Sequence, residues 1–174
     1  DHGHQFMAMS SGKVNATELV ASLINQKDDL ISGIRYAQEQ IDGSMTILLL
    51  TSGGIIAARD RLGRPPGLIG QSDEGCCVSF ESFAYRKLGY HDAYELGPQE
   101  IVKITAKGWE TLSPAGEDMR ICAFLWTYYG YPNSRYEGMN VELMRYRNGE
   151  IMARDEVQRG KLPKVDYVAG VPDS

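Results

Sequence analysis

Residues able to do chemistry are few in this sequence, and they are dispersed. His2 and His4 form a His-x-His pair, but no carboxylate or thiol stands at ligand spacing beside it, and two ligands do not make a metal site. The pair reads as an exposed chain end. Cys122 sits in Ile121-Cys122-Ala123-Phe124, the apolar setting of a buried and inert thiol, because reactivity needs a cationic neighbour. Arg59-Asp60-Arg61-Leu62-Gly63-Arg64-Pro65 reads as a turn in which Asp60 bonds its own backbone while Arg59 pairs with a carboxylate. Ser79-Phe80-Glu81-Ser82 puts Glu81 where a strand becomes a helix, as a capping group or as the partner of Arg59 across the sheet. A serine nucleophile elbow, a phosphate-cradling glycine loop and a dinucleotide fingerprint are all missing at their required spacings.

The elements that position these residues follow from periodicity. Leu19, Val20, Leu23 and Ile24 recur at helical spacing between Asn15 and Asn25, with Asn15 or Thr17 as cap. A second helix is predicted over Asp28–Ile41, with Leu30, Ile31, Ile34, Ala37, Gln38 and Ile41 on one face, ending before Gly43. Met45–Thr51 and Ile55–Arg59 around Ser52-Gly53-Gly54 predict a hairpin buried over most of its surface. Shorter strands are predicted at Gly67–Gly70, Cys76–Phe80, Glu100–Thr105 and Trp109–Leu112, with a short helix at Glu81–Leu88. Cys76 and Cys77 therefore pack in or near a strand. Beyond a boundary at Ser113–Glu117, the pattern predicts an extended aromatic stretch at Arg120–Tyr131 and a break at Pro132-Asn133-Ser134. It then predicts a helix over Gly138–Asp155, with apolar contacts from Val141, Met144, Ile151 and Met152, and a β-branched strand at Val165–Val171. Helices followed by antiparallel strands without strict alternation give an α+β layered fold.

Composition narrows the partners. The 174 residues carry a net charge of -5 and no basic stripe, which excludes binding to a phosphate backbone. No apolar run approaches the roughly 20 residues that span a bilayer. Three cysteines, two of them adjacent, fit reduced thiols and a cytoplasmic setting, and the first residues do not form a signal peptide.

Four ordered segments carry a resemblance. Gly43–Leu50, Ala57–Pro65, Ser79–Ser82 and Glu95–Val102 follow the order and spacing of class II glutamine amidotransferase domains of the amidophosphoribosyltransferase type. Ile121–Phe124 through Tyr128-Tyr129 and Pro132–Ser134 resembles that family's junction segment, and Val165–Ser174 resembles the first strand of its phosphoribosyltransferase domain. The resemblance implies part of an Ntn-hydrolase-type αββα layered sandwich over residues 1–115. Over 116–174 it implies the junction and the start of a type I phosphoribosyltransferase α/β domain.

For the parent enzyme, the resemblance implies that an N-terminal cysteine hydrolyses glutamine and that ammonia passes to phosphoribosyl pyrophosphate, bound with Mg2+, to give phosphoribosylamine in purine synthesis. A homo-oligomer is implied, and neither nucleic acid nor membrane is a partner. Cys122 matches a position that ligates an iron-sulfur cluster in some members, but its expected partner thiols would lie downstream, so no cofactor is expected in this chain.

Departures from the family pattern set further expectations. Position 1 is Asp1, not the nucleophilic cysteine whose own amine serves as base, so no catalytic residue is assigned and the isolated chain is expected to be inactive. The acidic phosphoribosyl pyrophosphate loop is expected beyond Ser174. Where the family carries an Asp for the glutamine ammonium, this chain reads Ala16-Thr17-Glu18, which leaves Thr17 and Glu18 as the candidate substrate-binding residues. Arg59, Asp60, Ser79 and Glu81 are the structural motif. The alternative to an enzyme segment is a non-catalytic, amidotransferase-like binding or assembly module.

Overall fold

A computed structural model describes residues 15–160 and 164–171. The His2–His4 pair and the final Pro172–Ser174 lie outside the described residues.

Helix α1 (Ala16–Ile24) starts where the Asn15 side chain accepts a hydrogen bond from the Glu18 amide at 2.9 Å. Helix α2 (Leu30–Gln40) is capped by Asp29, which accepts from the amides of Ile31 and Ser32. These contacts satisfy amides that a helix start leaves unpaired.

Strands β1 (Thr46–Thr51) and β2 (Gly54–Arg59) form the predicted hairpin. They continue through β6 (Ile101–Thr105) and β7 (Gly108–Ser113) as an antiparallel sheet of order β1-β2-β6-β7. A second sheet, of order β4-β3-β5, is built from β3 (Leu68–Ser72), β4 (Gly75–Ser79) and β5 (His91–Glu95). Helix α3 (Ser82–Arg86) lies between β4 and β5 in sequence.

Strand alternation sorts the apolar side chains into three cores. Ile56, Ala58 and Ile101 face α1 and α2, meeting Leu23, Ile24, Ile34 and Ala37. Their sequence neighbours Ala57 and Val102, with Ile104, face the second sheet and pack on Ile69 and Leu96. On that sheet's far side, Leu68 packs with Tyr85, Leu125, Trp126, Tyr136 and Val141. The order helices, sheet, sheet, helical cover follows from this period-2 switching.

Several expectations need correction. Strand β1 is an edge whose Leu48 and Leu50 are 42% and 83% exposed, so the hairpin is not buried over most of its surface. The three-stranded second sheet is too narrow to cover that side of β1. Strand β5 escaped prediction because His91-Asp92-Ala93-Tyr94-Glu95 is mostly polar; β3 supplies its ladder.

Residues 120–131 are not extended. Leu125–Tyr129 is a π-helical turn closed by the Gly130 amide on the Leu125 carbonyl at 2.7 Å, which sets Leu125 and Trp126 together on the third core. Helix α4 (Val141–Gln158) buries Val141 and partly buries Met144, whereas Ile151 and Met152 are exposed and supply no core contact. Residues 165–171 are exposed and form no strand of the described sheets. Cys122 is exposed, contrary to its apolar sequence setting, because the side chains packed inward here are Ile121, Leu125 and Trp126.

Candidate functional site

Two of the resemblance segments, Ala57–Pro65 and Glu95–Val102, meet at a single buried group, the guanidinium of Arg59 at the end of β2. Arg59 is fully buried. Its Nε donates to the Pro65 carbonyl at 2.7 Å, its Nη1 to the Leu96 carbonyl, and its Nη2 to the Gly63 carbonyl at 2.8 Å and to Glu137 Oε1 at 3.0 Å. The planar fork of Arg suits this spread of acceptors, and a Lys does not reproduce it.

Asp60 closes the turn as predicted. Its Oδ1 accepts from the amides of Leu62 and Arg64, and its Oδ2 accepts from the Met45 amide at 3.0 Å. Gln38 of α2, almost fully buried, spans the Arg59 and Gln99 carbonyls at 2.7 and 3.1 Å. Glu100 accepts from the Tyr94 hydroxyl at 2.8 Å and from the Gly97 amide at 2.8 Å. Burial first, and the neighbouring Glu100 next, push the Tyr94 hydroxyl up to about 12.

Arg59 does pair with a carboxylate, but that carboxylate belongs to Glu137 and not to Glu81. Glu137-Gly138 is the two-residue turn of a small hairpin, β8 (Arg135–Tyr136) and β9 (Met139–Asn140), with φ of 48° and 73°. Both φ values are positive, as a tight primed turn requires. The Glu137 amide donates to Glu95 Oε2 at 2.9 Å.

Glu81 makes no capping hydrogen bond to α3. Its Oε2 accepts instead from the Ser134 hydroxyl and, at 3.4 Å, from the Tyr131 amide, while Ser79 Oγ accepts from the Glu81 amide. The third core already brings Leu125, Trp126 and Tyr136 against the second sheet, which leaves Glu81 aimed at that segment and not at the start of its own helix. Glu81, at the start of α3 just past β4, and Glu95, at the end of β5, thus hold residues 131–137. Gln38, Glu95, Ser134 and Glu137 were not singled out as site residues in the sequence. Only the Glu95 and Ser134 segments carried a signal, through the resemblance.

Thr17 and Glu18 lie apart from this cluster, on the first turn of α1. That turn borders a groove of about 400 Å3 against β1, lined by Ala16, Thr17, Val20, Met45, Ile47 and Leu49 among others. Among the described residues, Glu18 Oε2 is enclosed without a hydrogen-bond partner.

Cys77 faces Tyr85, and burial pushes its thiol up, away from the nucleophilic thiolate. No group of three or more His, Cys, Asp or Glu side chains able to hold a metal gathers among the described residues. Cys122 is thus at most a single ligand, and no chemical step is derived through a cluster. No helix of the described residues is long and apolar enough to cross a membrane.

No protein-family profile matches the chain. It is similar to the amidophosphoribosyltransferase of Archaeoglobus fulgidus, at 27% identity over 175 residues that take in 100% of this chain and 37% of that protein. The enzyme of the same name from Methanocaldococcus jannaschii is 27% identical over 190 residues, 99% of this chain and 39% of the relative. A solved structure described as the allosteric regulatory enzyme of purine biosynthesis superposes on 94% of this chain and 36% of its own, with a TM-score of 0.80 and 26% identity. The chain is homologous along its whole length to amidophosphoribosyltransferases, and it spans little more than a third of the length of the relatives it matches.

Proposed function

We propose that these residues serve a cytoplasmic amidophosphoribosyltransferase: they form part of its Ntn-hydrolase-type glutaminase half and the junction to its phosphoribosyltransferase half. The observation that carries this reading is the convergence of separate resemblance segments on one framework. Residues 59–65 and 95–102 are hydrogen-bonded to one another through Arg59, Asp60 and Leu96, and Glu81 of 79–82 receives Ser134 of the junction. A shared fold alone says little about chemistry; shared packing of the same short motifs says more. The exposed Leu48 and Leu50 on the sheet-facing side of β1 add support, since a wider second sheet covers such a face in a complete sandwich.

In this reading the groove between α1 and β1 receives the amino-acid end of glutamine. Thr17 lines it, Glu18 is its neighbour on the same helical turn, and Ala16 offers no carboxylate to the ammonium. The chain's own part is positional: Asp60 and Arg59 hold β1 and the 60–65 turn in register, and the groove wall with them. A second reading, a non-catalytic binding or assembly module, is favoured by Ala16 specifically.

The test is expression of the uninterrupted reading frame that contains this segment, assayed for glutamine hydrolysis and for glutamine-dependent pyrophosphate release. Activity that depends on an upstream cysteine next to the initiator methionine supports the enzyme. A frame that lacks such a cysteine, or one that turns over neither substrate, leaves the module. Within an active enzyme, Ala16→Asp is expected to lower the KM for glutamine by about tenfold, the worth of a charge-assisted hydrogen bond. An unchanged KM removes the groove assignment.

A further inference from the structure

We propose that the β8–β9 hairpin is held on the second sheet by a proton on Glu95, so that hairpin docking is pH-dependent and the junction loosens when that proton leaves. Geometry carries this. Glu95, the last residue of β5, accepts the Glu137 amide on Oε2, and its Oε1 is enclosed without a partner among the described residues. Arg59, which faces it from β2, spends its donors on the carbonyls of Pro65, Leu96 and Gly63 and on the Glu137 carboxylate, and Arg135, which lines the same cleft, donates to the Gly138 carbonyl. Two carboxylates therefore share a guanidinium that is bonded to only one of them. An ionised Glu95 here is a partly buried charge without a counter-ion of its own, which costs several times what a neutral carboxyl costs.

The groups that face Glu95 come from each neighbouring element. Arg59 comes from β2 and Glu137 from the hairpin turn, while Asp92 lies on its own strand. Tyr85 of α3 and Arg135 of β8 line the same cleft of about 240 Å3. Burial first, then the negative charge of Glu137, outweigh Arg59 and the Glu137 amide, and the carboxyl is pushed up to about 7.

The sign follows directly. The folded pKa lies above the ordinary 4.5, so the stabilising proton is fully bound below that value and is lost as pH rises through about 7. Undocking lets Glu95 meet water and return to its ordinary acidity. The ratio of docked to undocked hairpin therefore falls by up to about tenfold per pH unit between about 4.5 and about 7, and levels off above that, where both states have lost the proton.

Trp126 is a built-in reporter. It meets Tyr136 edge-on at 5.8 Å, and its indole N–H donates to the Met139 carbonyl at 3.2 Å. The only other tryptophan, Trp109, is removed by Trp109→Phe. In that background, Trp126 emission is expected to shift to the red between about pH 4.5 and about pH 7.5, with unchanged far-ultraviolet circular dichroism. Adding Glu95→Gln abolishes the transition, with the hairpin docked throughout, and Glu137→Gln lowers its midpoint. A folded protein with no Trp126 transition in that range, or a transition that survives Glu95→Gln, overturns the proposal. Should Glu95→Gln not fold, carboxyl carbon-13 titration of Glu95 in the Trp109→Phe protein decides. A midpoint raised to between about 5 and about 7 upholds the proposal, and one below about 5 overturns it.

Discussion

Arg59→Met is expected to destabilise the chain by about 3–5 kcal/mol, the usual cost of removing one member of a buried, hydrogen-bonded ion pair. Met occupies similar volume but returns none of the four hydrogen bonds. Three carbonyls, of Gly63, Pro65 and Leu96, and the Glu137 carboxylate would be left facing an apolar side chain. Each unpaired buried group adds to the cost. The loss propagates, because the 60–65 turn, the 96–100 loop and the β8–β9 hairpin are all bonded to this one guanidinium. Arg61→Met, two residues away and exposed, is expected to change stability by less than about 0.5 kcal/mol. Urea unfolding of both variants measures the contrast, and a loss of under about 1 kcal/mol for Arg59→Met contradicts the role given to it.

Gly33→Ala is the second large effect, and it acts on the helix layer. A Cβ at Gly33 would lie 2.3 Å from the Ile24 carbonyl oxygen and 3.0 Å from its carbonyl carbon. Both are backbone atoms and cannot swing aside, so α1 has to shift away from α2. Overpacking of this kind costs about 1–3 kcal/mol, more than the gain of roughly 0.8–1 kcal/mol that Ala brings over Gly inside a helix. Gly149→Ala isolates that gain: it lies in α4 with nothing near a new Cβ, and it is expected to stabilise by about that amount. Thermal melts of the two variants should therefore move in opposite directions. Movement in the same direction would mean that α1 sits on α2 more loosely than described. Since α1 is one wall of the groove beside Thr17, the Gly33 variant should also weaken any ligand that the groove holds.

Much of the fold is legible in the residues. Helices α1 and α2 and the Asn15 cap of α1, the β1–β2 hairpin and its turn, four of the other strands and the short helix α3 stand close to where periodicity and turn chemistry put them. Local rules suffice there because the strands alternate cleanly and the helices carry one apolar face. The failures share a cause. Strand β5 is polar, the 120–131 segment is aromatic without a clear period, and Val165–Val171 is β-branched without a ladder. Their conformations are set by what lies beside them.

The candidate site divides in the same way. Asp60 bonding its own turn is a local event, readable from Asp60-Arg61-Leu62-Gly63. The partner of Arg59 is not local: Glu137 is 78 residues away, and Glu81, nearer in sequence and on a plausible strand, goes to Ser134 instead. What the sequence determined by itself was the helices, most of the strands, the α+β class and the kinship of its short motifs, because these rest on backbone preference and on apolar period over a few residues. What only the tertiary structure decided was which carboxylate meets Arg59, and that Glu95 is enclosed beside it with no cation of its own. Those outcomes depend on how two sheets and a hairpin stack, and a charge pairs with whatever that stacking brings within about 3 Å.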